Sequence, residues 1–151
     1  MEENQINVLY VEPKKAPVAA EIGKELESYQ EAVGGMIEVI YPFDDMVCIV
    51  CNEEGKLDGL DLNRALYFED GEIYDIIAGN FFVAGITEDD FCSLTEEQMK
   101  KYQNRFKEPE MFVRMGSKIL SIPVPEEEIR NITGEKKPQE KRKEKEMDGE
   151  R

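Results

Sequence analysis

The chain predicts an α+β domain: a small, mainly antiparallel sheet of four or five strands with one helix packed on it, a second C-terminal helix and a disordered charged tail. Three observations predict it. Short apolar runs rich in β-branched and aromatic residues recur between turn signals, at 6–11, 36–41, 46–51 and 73–84. Two other stretches space their apolar residues by three and four, the period of a helix face. From residue 126 the apolar pattern fades, and residues 134–151 have almost no apolar side chain and alternate in charge sign. A chain of 151 residues, 40% of them apolar, is the size of one domain with one core. That domain is placed at 1–125, and the tail at 126–151.

Residues 6–11, Ile-Asn-Val-Leu-Tyr-Val, carry apolar side chains on both faces, the pattern of an interior strand. Pro13 breaks the strand, and a helix is expected from Pro17 to Val33, with Val18, Ile22, Leu26, Tyr29 and Val33 in one stripe against the sheet. Gly34 and Gly35 end it, because glycine adopts the left-handed cap without steric cost. Residues 36–41 and 46–51 then form a hairpin about the turn at 42–45. Residues 73–78 and 81–84 are one or two strands interrupted at Gly79 and Asn80. Thr95 and Gln98 make a capping box, with Leu94 placed to staple onto Met99; Met99, Tyr102 and Phe106 give the second helix its apolar face, and Pro109 ends it. Residues 111–125, bounded by prolines, are read as a short edge strand or a loop packed on the core.

Net charge excludes one class of partner. There are 34 acidic and 19 basic residues, and residues 134–151 hold seven of the basic and six of the acidic ones. Subtraction leaves 12 basic and 28 acidic side chains on residues 1–133, a body charge of −16. Such a body repels phosphate backbones, so direct nucleic-acid binding is disfavoured, whereas a basic protein partner is favoured. No apolar run approaches the roughly 20 residues that cross a bilayer, and the start Met-Glu-Glu-Asn lacks the basic opening of a signal peptide; the expectation is a cytoplasmic protein with no membrane contact. Histidine is absent, which excludes imidazole triads and the usual zinc nitrogen ligand. Cys48 and Cys51 have the spacing of a metal or redox pair, but Ile49 and Val50 between them imply a strand, on which positions three apart face oppositely. With Cys92 as a third sulfur only, the cysteines read as reduced thiols, and neither a metal nor a cofactor is expected.

The densest polar stretch lies between the hairpin and the next strand. Asn52, Glu53, Glu54, Lys56, Asn63 and Arg64 bring amides, carboxylates and both cation types onto a loop at the rim of the sheet. Arg64 offers a planar fork for a carboxylate or phosphate, and Lys56 follows Gly55, which permits close approach to an anion. Either these groups form a local cationic pocket, or Glu53 and Glu54 pair with Lys56 and Arg64 while Asn52 and Asn63 bond turn amides. Asp75 and Asn80 either join the segment across the sheet rim or satisfy backbone groups at a bend. Glu53 and Glu54 make a poor acid and base pair, since neighbours on a strand end point to opposite faces, and no nucleophile or phosphate-cradling loop accompanies them. No catalytic residue is nominated.

Val33-Gly34-Gly35 with Ile37-Glu38, residues 51–56 with Gly59-Leu60 and residues 63–66, and finally residues 75–79 with Phe82-Val83-Ala84-Gly85 form an extended pattern. Together with Pro13, Gln30 and the stretch 94–106, it resembles a domain-of-unknown-function family (DUF3846-like) carried mainly by phages, plasmids and conjugative elements of bacteria. The likeness spans about residues 6–112. It implies an α+β accessory protein of a mobile element and brings no chemistry with it.

Three functions are therefore in view: a non-catalytic accessory protein that binds a host or defence protein through its acidic surface and polar loop; a module binding a small anion, such as a nucleotide, between Lys56, Asn63 and Arg64; and an enzyme of unstated reaction. The sequence leaves the partner and the oligomeric state open.

Overall fold

A computed structural model of the chain describes residues 4–133, so the charged stretch at 134–151 lies outside the described residues. Thirteen elements are described, in the order β1 (Gln5–Val11), β2 (Val18–Gly23), α1 (Leu26–Val33), β3 (Ile37–Ile40), β4 (Val47–Asn52), β5 (Leu62–Tyr67), β6 (Ile73–Ala78), β7 (Phe81–Ile86), β8 (Phe91–Cys92), α2 (Glu96–Arg105), β9 (Glu110–Met115), β10 (Lys118–Pro123) and α3 (Glu126–Thr133). The fold is α+β. Its main sheet is antiparallel, with five strands in the order β2-β1-β7-β4-β3 and the two-residue β8 beside β7.

The central strands β1, β7 and β4 are apolar at successive positions, so both faces of the sheet are buried. On one face Ile6, Val8, Cys48, Val50, Phe82 and Ala84 pack with Tyr29 and Val33 of α1. On the other, Leu9, Val11, Val47, Ile49, Phe81 and Val83 meet Tyr102 of α2, Phe106 at its end, and Leu66 and Ile77 of the β5–β6 hairpin. Each buried Val, Leu, Ile or Phe of these layers contributes about 1.5–3 kcal/mol, so the two layers dominate the stability.

The capping box forms as the sequence predicts: the Gln98 N–H donates to Thr95 Oγ1 at 3.0 Å and the Thr95 N–H to Gln98 Oε1 at 3.0 Å. The first helix is shorter than expected. Residues 18–23 form β2, antiparallel to β1 with Tyr10 opposite Val18 and Gln5 opposite Gly23. A spacing of four places Val18 and Ile22 on one face of a strand as readily as of a helix, so the stripe could not separate the two.

Further features of the chain bear on the site. Residues 62–67, expected as part of the loop, are strand β5, paired with β6 in a separate two-stranded sheet. Gly79, at φ 84°, turns the chain so that β6 and β7 enter different sheets. Residues 110–123 form the hairpin β9–β10, on which Val113, Met115, Leu120 and Ile122 stay exposed. Residues 126–133, expected as the start of the tail, form α3, with Ile129 buried.

Candidate functional site

The polar segment divides into an exposed loop and a buried clasp. At its start Asn52 is buried at the end of β4. Its Nδ2 donates to the carbonyl of Val33 at 3.1 Å, and its Oδ1 accepts the Glu54 N–H at 2.8 Å. One amide thus satisfies an orphan carbonyl at the end of α1 and fixes the first turn of the loop. The loop closes on itself through Asp58 N–H to Glu54 carbonyl, 2.8 Å, and Leu60 N–H to Gly55 carbonyl, 2.9 Å. Gly55 is required by space: a Cβ there would stand 2.6 Å from the carbonyl oxygen of Ala78.

Asn63 and Arg64 are wholly buried, both at 0% exposure. The ladder between β5 and β6 shifts register between Leu62 and Arg64, which leaves Asn63 out of the pairing as a β-bulge and lets two adjacent side chains turn inward. Asn63 Nδ2 donates to the carbonyls of Val11 at 3.0 Å and Gly79 at 2.8 Å, and its Oδ1 accepts from Arg64 Nη1 at 2.9 Å. Arg64 Nε and Nη2 donate to the Phe106 carbonyl at 3.2 and 2.9 Å, and Nη2 also to the Lys15 carbonyl at 2.8 Å. Burial pushes the guanidinium down to about 10, against which Glu110 and Glu126 act from a distance. It remains a cation at neutral pH.

The expected cationic pocket between Lys56, Asn63 and Arg64 is therefore not formed, because two of its three donors are committed to backbone carbonyls inside the fold. Nor do Glu53 and Glu54 pair with Arg64; both are exposed. Lys56 is held elsewhere, with Nζ 2.7 Å from Asp75 Oδ1. Asp75 Oδ1 also accepts the N–H of Ile76 at 2.8 Å. Asn80 lies apart from the loop, donating to the Tyr10 hydroxyl at 2.8 Å, which in turn donates to the Ala32 carbonyl at 3.0 Å.

What the loop does build is a cleft of about 290 Å³ between β3, the loop and β6. Glu38, Glu53, Glu54, Lys56 and Asp75 line it, beside the apolar Ile40, Cys51 and Ile77. Four carboxylates face one ammonium, and that ammonium is already paired. The cleft carries an excess of negative charge, the reverse of the expected pocket. Among the described residues no cluster of three or more Cys, Asp or Glu is placed to hold a metal ion. Cys48 and Cys51 fall in opposite core layers, and burial pushes each thiol up to about 12.

Asp45 reads from the sequence as a solvated residue of the turn at 42–45. Its carboxylate accepts from the Tyr102 hydroxyl at 2.8 Å, the Gln98 side chain at 3.4 Å and Lys101 Nζ at 3.5 Å, tying the β3–β4 turn to α2. The Tyr102 hydrogen bond leads the causes that hold this carboxyl below its usual range. Tyr102 sits at the centre of the second helix's apolar face, and that position was the one available hint.

These elements define an α+β domain with an antiparallel sheet covered on both faces. The family model of a domain of unknown function, DUF3846, matches residues 6–107, and the chain belongs to that family. No match was found among curated proteins or among solved structures. No helix of the described residues is long and apolar enough to cross a membrane.

Proposed function

We propose that this chain is a non-catalytic protein-binding module, an accessory protein of a mobile genetic element that engages host or defence machinery through the acidic cleft beside its polar loop. One observation carries the reading: Glu38, Glu53, Glu54 and Asp75 converge on a cleft whose single cation, Lys56, is already neutralised by Asp75. A cleft of one charge sign attracts and orients a partner of the other. The body charge of −16 on residues 1–133 extends the same field over the molecule. Strongly acidic surfaces of this kind can also imitate DNA toward a DNA-binding enzyme, which makes such an enzyme one fitting partner. The mobile-element role comes from the distribution of the resembled family, and the genes flanking this one in its host test it.

The binding test uses the full chain as bait in lysate of the bacterial host, beside a Glu38→Gln/Glu53→Gln/Glu54→Gln variant. A partner captured by wild type at about 50 mM salt should be released at about 300 mM, where the screening length falls severalfold short of a protein diameter. The triple variant should fail to capture it. A partner held equally by both, or held regardless of salt, overturns the reading. So does a thermal shift produced by an anionic nucleotide, which would restore the small-anion function.

A further inference from the structure

At one end of the main sheet, β3 has β4 on one side and, among the described residues, no strand on the other. One hydrogen bond fixes which of its backbone groups are free. The N–H of Glu53 donates to the carbonyl of Met36 at 2.8 Å, in the same register that pairs Ile37 with Asn52 and Glu38 with Cys51. Bonded and non-bonded pairs alternate along an antiparallel ladder. Glu38 and Ile40 therefore bond to β4, and the N–H and carbonyl of Ile37 and Val39 point outward. Among the described residues those outward groups have no partner.

A row of unpaired donors and acceptors is a template for another strand, and its side chains decide which strand. Glu38 and Ile40 line the acidic cleft, while Ile37 and Val39 pack toward the α1 layer. A residue paired with Glu38 shares its face, so it would project toward Glu53, Glu54 and Asp75. Its neighbours would share the face of Ile37 and Val39.

We propose that β3 receives an extended segment of the partner protein by antiparallel or parallel strand addition, the segment alternating Lys or Arg with apolar residues. This rests on the reading of the cleft as a protein contact and goes further in fixing the shape and pattern of what binds. A second copy of this chain fits the edge poorly, because it would bring two acidic clefts and two bodies of like charge together.

The probe is a synthetic hexapeptide alternating Val and Lys, added to the full chain and followed by amide hydrogen exchange. Exchange at Ile37 and Val39 should slow on binding, while a Val and Glu hexapeptide should leave it unchanged. A peptide N-methylated at alternate amides should bind about tenfold or more weakly, because each blocked ladder bond is lost without any change of charge. Val39→Pro should weaken the unmodified peptide likewise, since it removes an outward N–H, which an edge strand tolerates. If the N-methylated peptide and Val39→Pro bind normally while Glu53→Gln/Glu54→Gln does not, the cleft takes a basic side chain without strand addition; this inference then fails and the proposed function stands. If no basic peptide binds at all, both fail. Wild-type self-association abolished by Val39→Pro would assign the edge to a second copy and overturn the proposal.

Discussion

Arg64 is a buried cation whose hydrogen bonds among the described residues go to dipoles. Its guanidinium reaches the carbonyls of Phe106, Lys15 and Asn63 and the side-chain oxygen of Asn63. Phe106 caps the C-terminus of α2, where a positive charge is favoured by the helix dipole. Arg64→Ala should cost about 3–5 kcal/mol in urea denaturation, because it opens a cavity and strands buried carbonyls. Arg64→Lys should recover little of that, since three donors on a flexible stem cannot replace a planar fork. A loss under about 1 kcal/mol would show that the clasp is incidental. The sequence displays Arg64 among Asp58, Asp61 and Asn63 as a surface donor; its burial follows from the bulge, and no local pattern announces a bulge at Asn63. Asp45 yields a pH prediction. Its folded carboxyl is held below the usual range by the Tyr102 hydroxyl first, then by the Met46 N–H, Lys101 and Gln98 against the opposing effect of burial. The folded state thus binds the proton less readily than the unfolded chain. The associated stability is present above the unfolded value and lost as pH falls through the folded one. Asp45→Asn should therefore be less stable than wild type at neutral pH, with the difference shrinking on acidification; urea midpoints at pH 7 and pH 3 check it. A constant difference would remove this carboxylate as the cause.

Among the elements, those defined by local chemistry were legible and those defined by pairing were not. Thr95 and Gln98 announce α2 because their reciprocal bonds need only adjacent residues. Thr95→Ala should destabilise the protein by about 1 kcal/mol, measurable as a shift in the urea midpoint at unchanged slope; no shift would mean the box is redundant with the packing of Met99 and Tyr102. The strands 6–11, 46–51 and 81–84 were legible for a related reason: apolar side chains at consecutive positions belong inside a covered sheet. By contrast β2 and β5 exist through their partners. Val18 and Ile22 fit either period, and β5 carries two polar residues that only the clasp explains. The loop between β4 and β5 sits between these cases. Gly55 looks like a turn glycine, yet it is fixed by the Ala78 carbonyl of β6, a contact 23 residues away in the chain. Gly55→Ala should displace β6 and widen the cleft, lowering stability by about 1–3 kcal/mol and loosening the Lys56–Asp75 pair. Amide shifts confined to the loop, with Ile76 and Ala78 unmoved, would show that the loop yields instead.

Across the whole molecule, charge and core act in opposition. Two apolar layers hold together a body in which 28 carboxylates face 12 cations; ion pairs among the described residues engage Glu12, Asp45, Asp61, Asp75 and Asp90. Most of these pairs are exposed, and exposed pairs contribute about 0–1 kcal/mol each. Self-repulsion spread over the surface is therefore the larger electrostatic effect, and screening should relieve more than it removes. The melting temperature should rise as sodium chloride goes from about 10 mM to about 150 mM, while the screening length falls from about 30 Å to about 8 Å. Above that range the rise should level off, because charges farther apart than the screening length no longer interact. A Glu38→Gln/Glu53→Gln/Glu54→Gln variant should start from a higher melting temperature at low salt and gain less from added salt, since the cleft concentrates repulsion that Lys56 alone cannot offset. A melting temperature that falls with salt would mean that ion pairs dominate after all. It would also undercut the acidic cleft as a long-range attractor, because a surface already neutralised within itself has little field left to steer a partner.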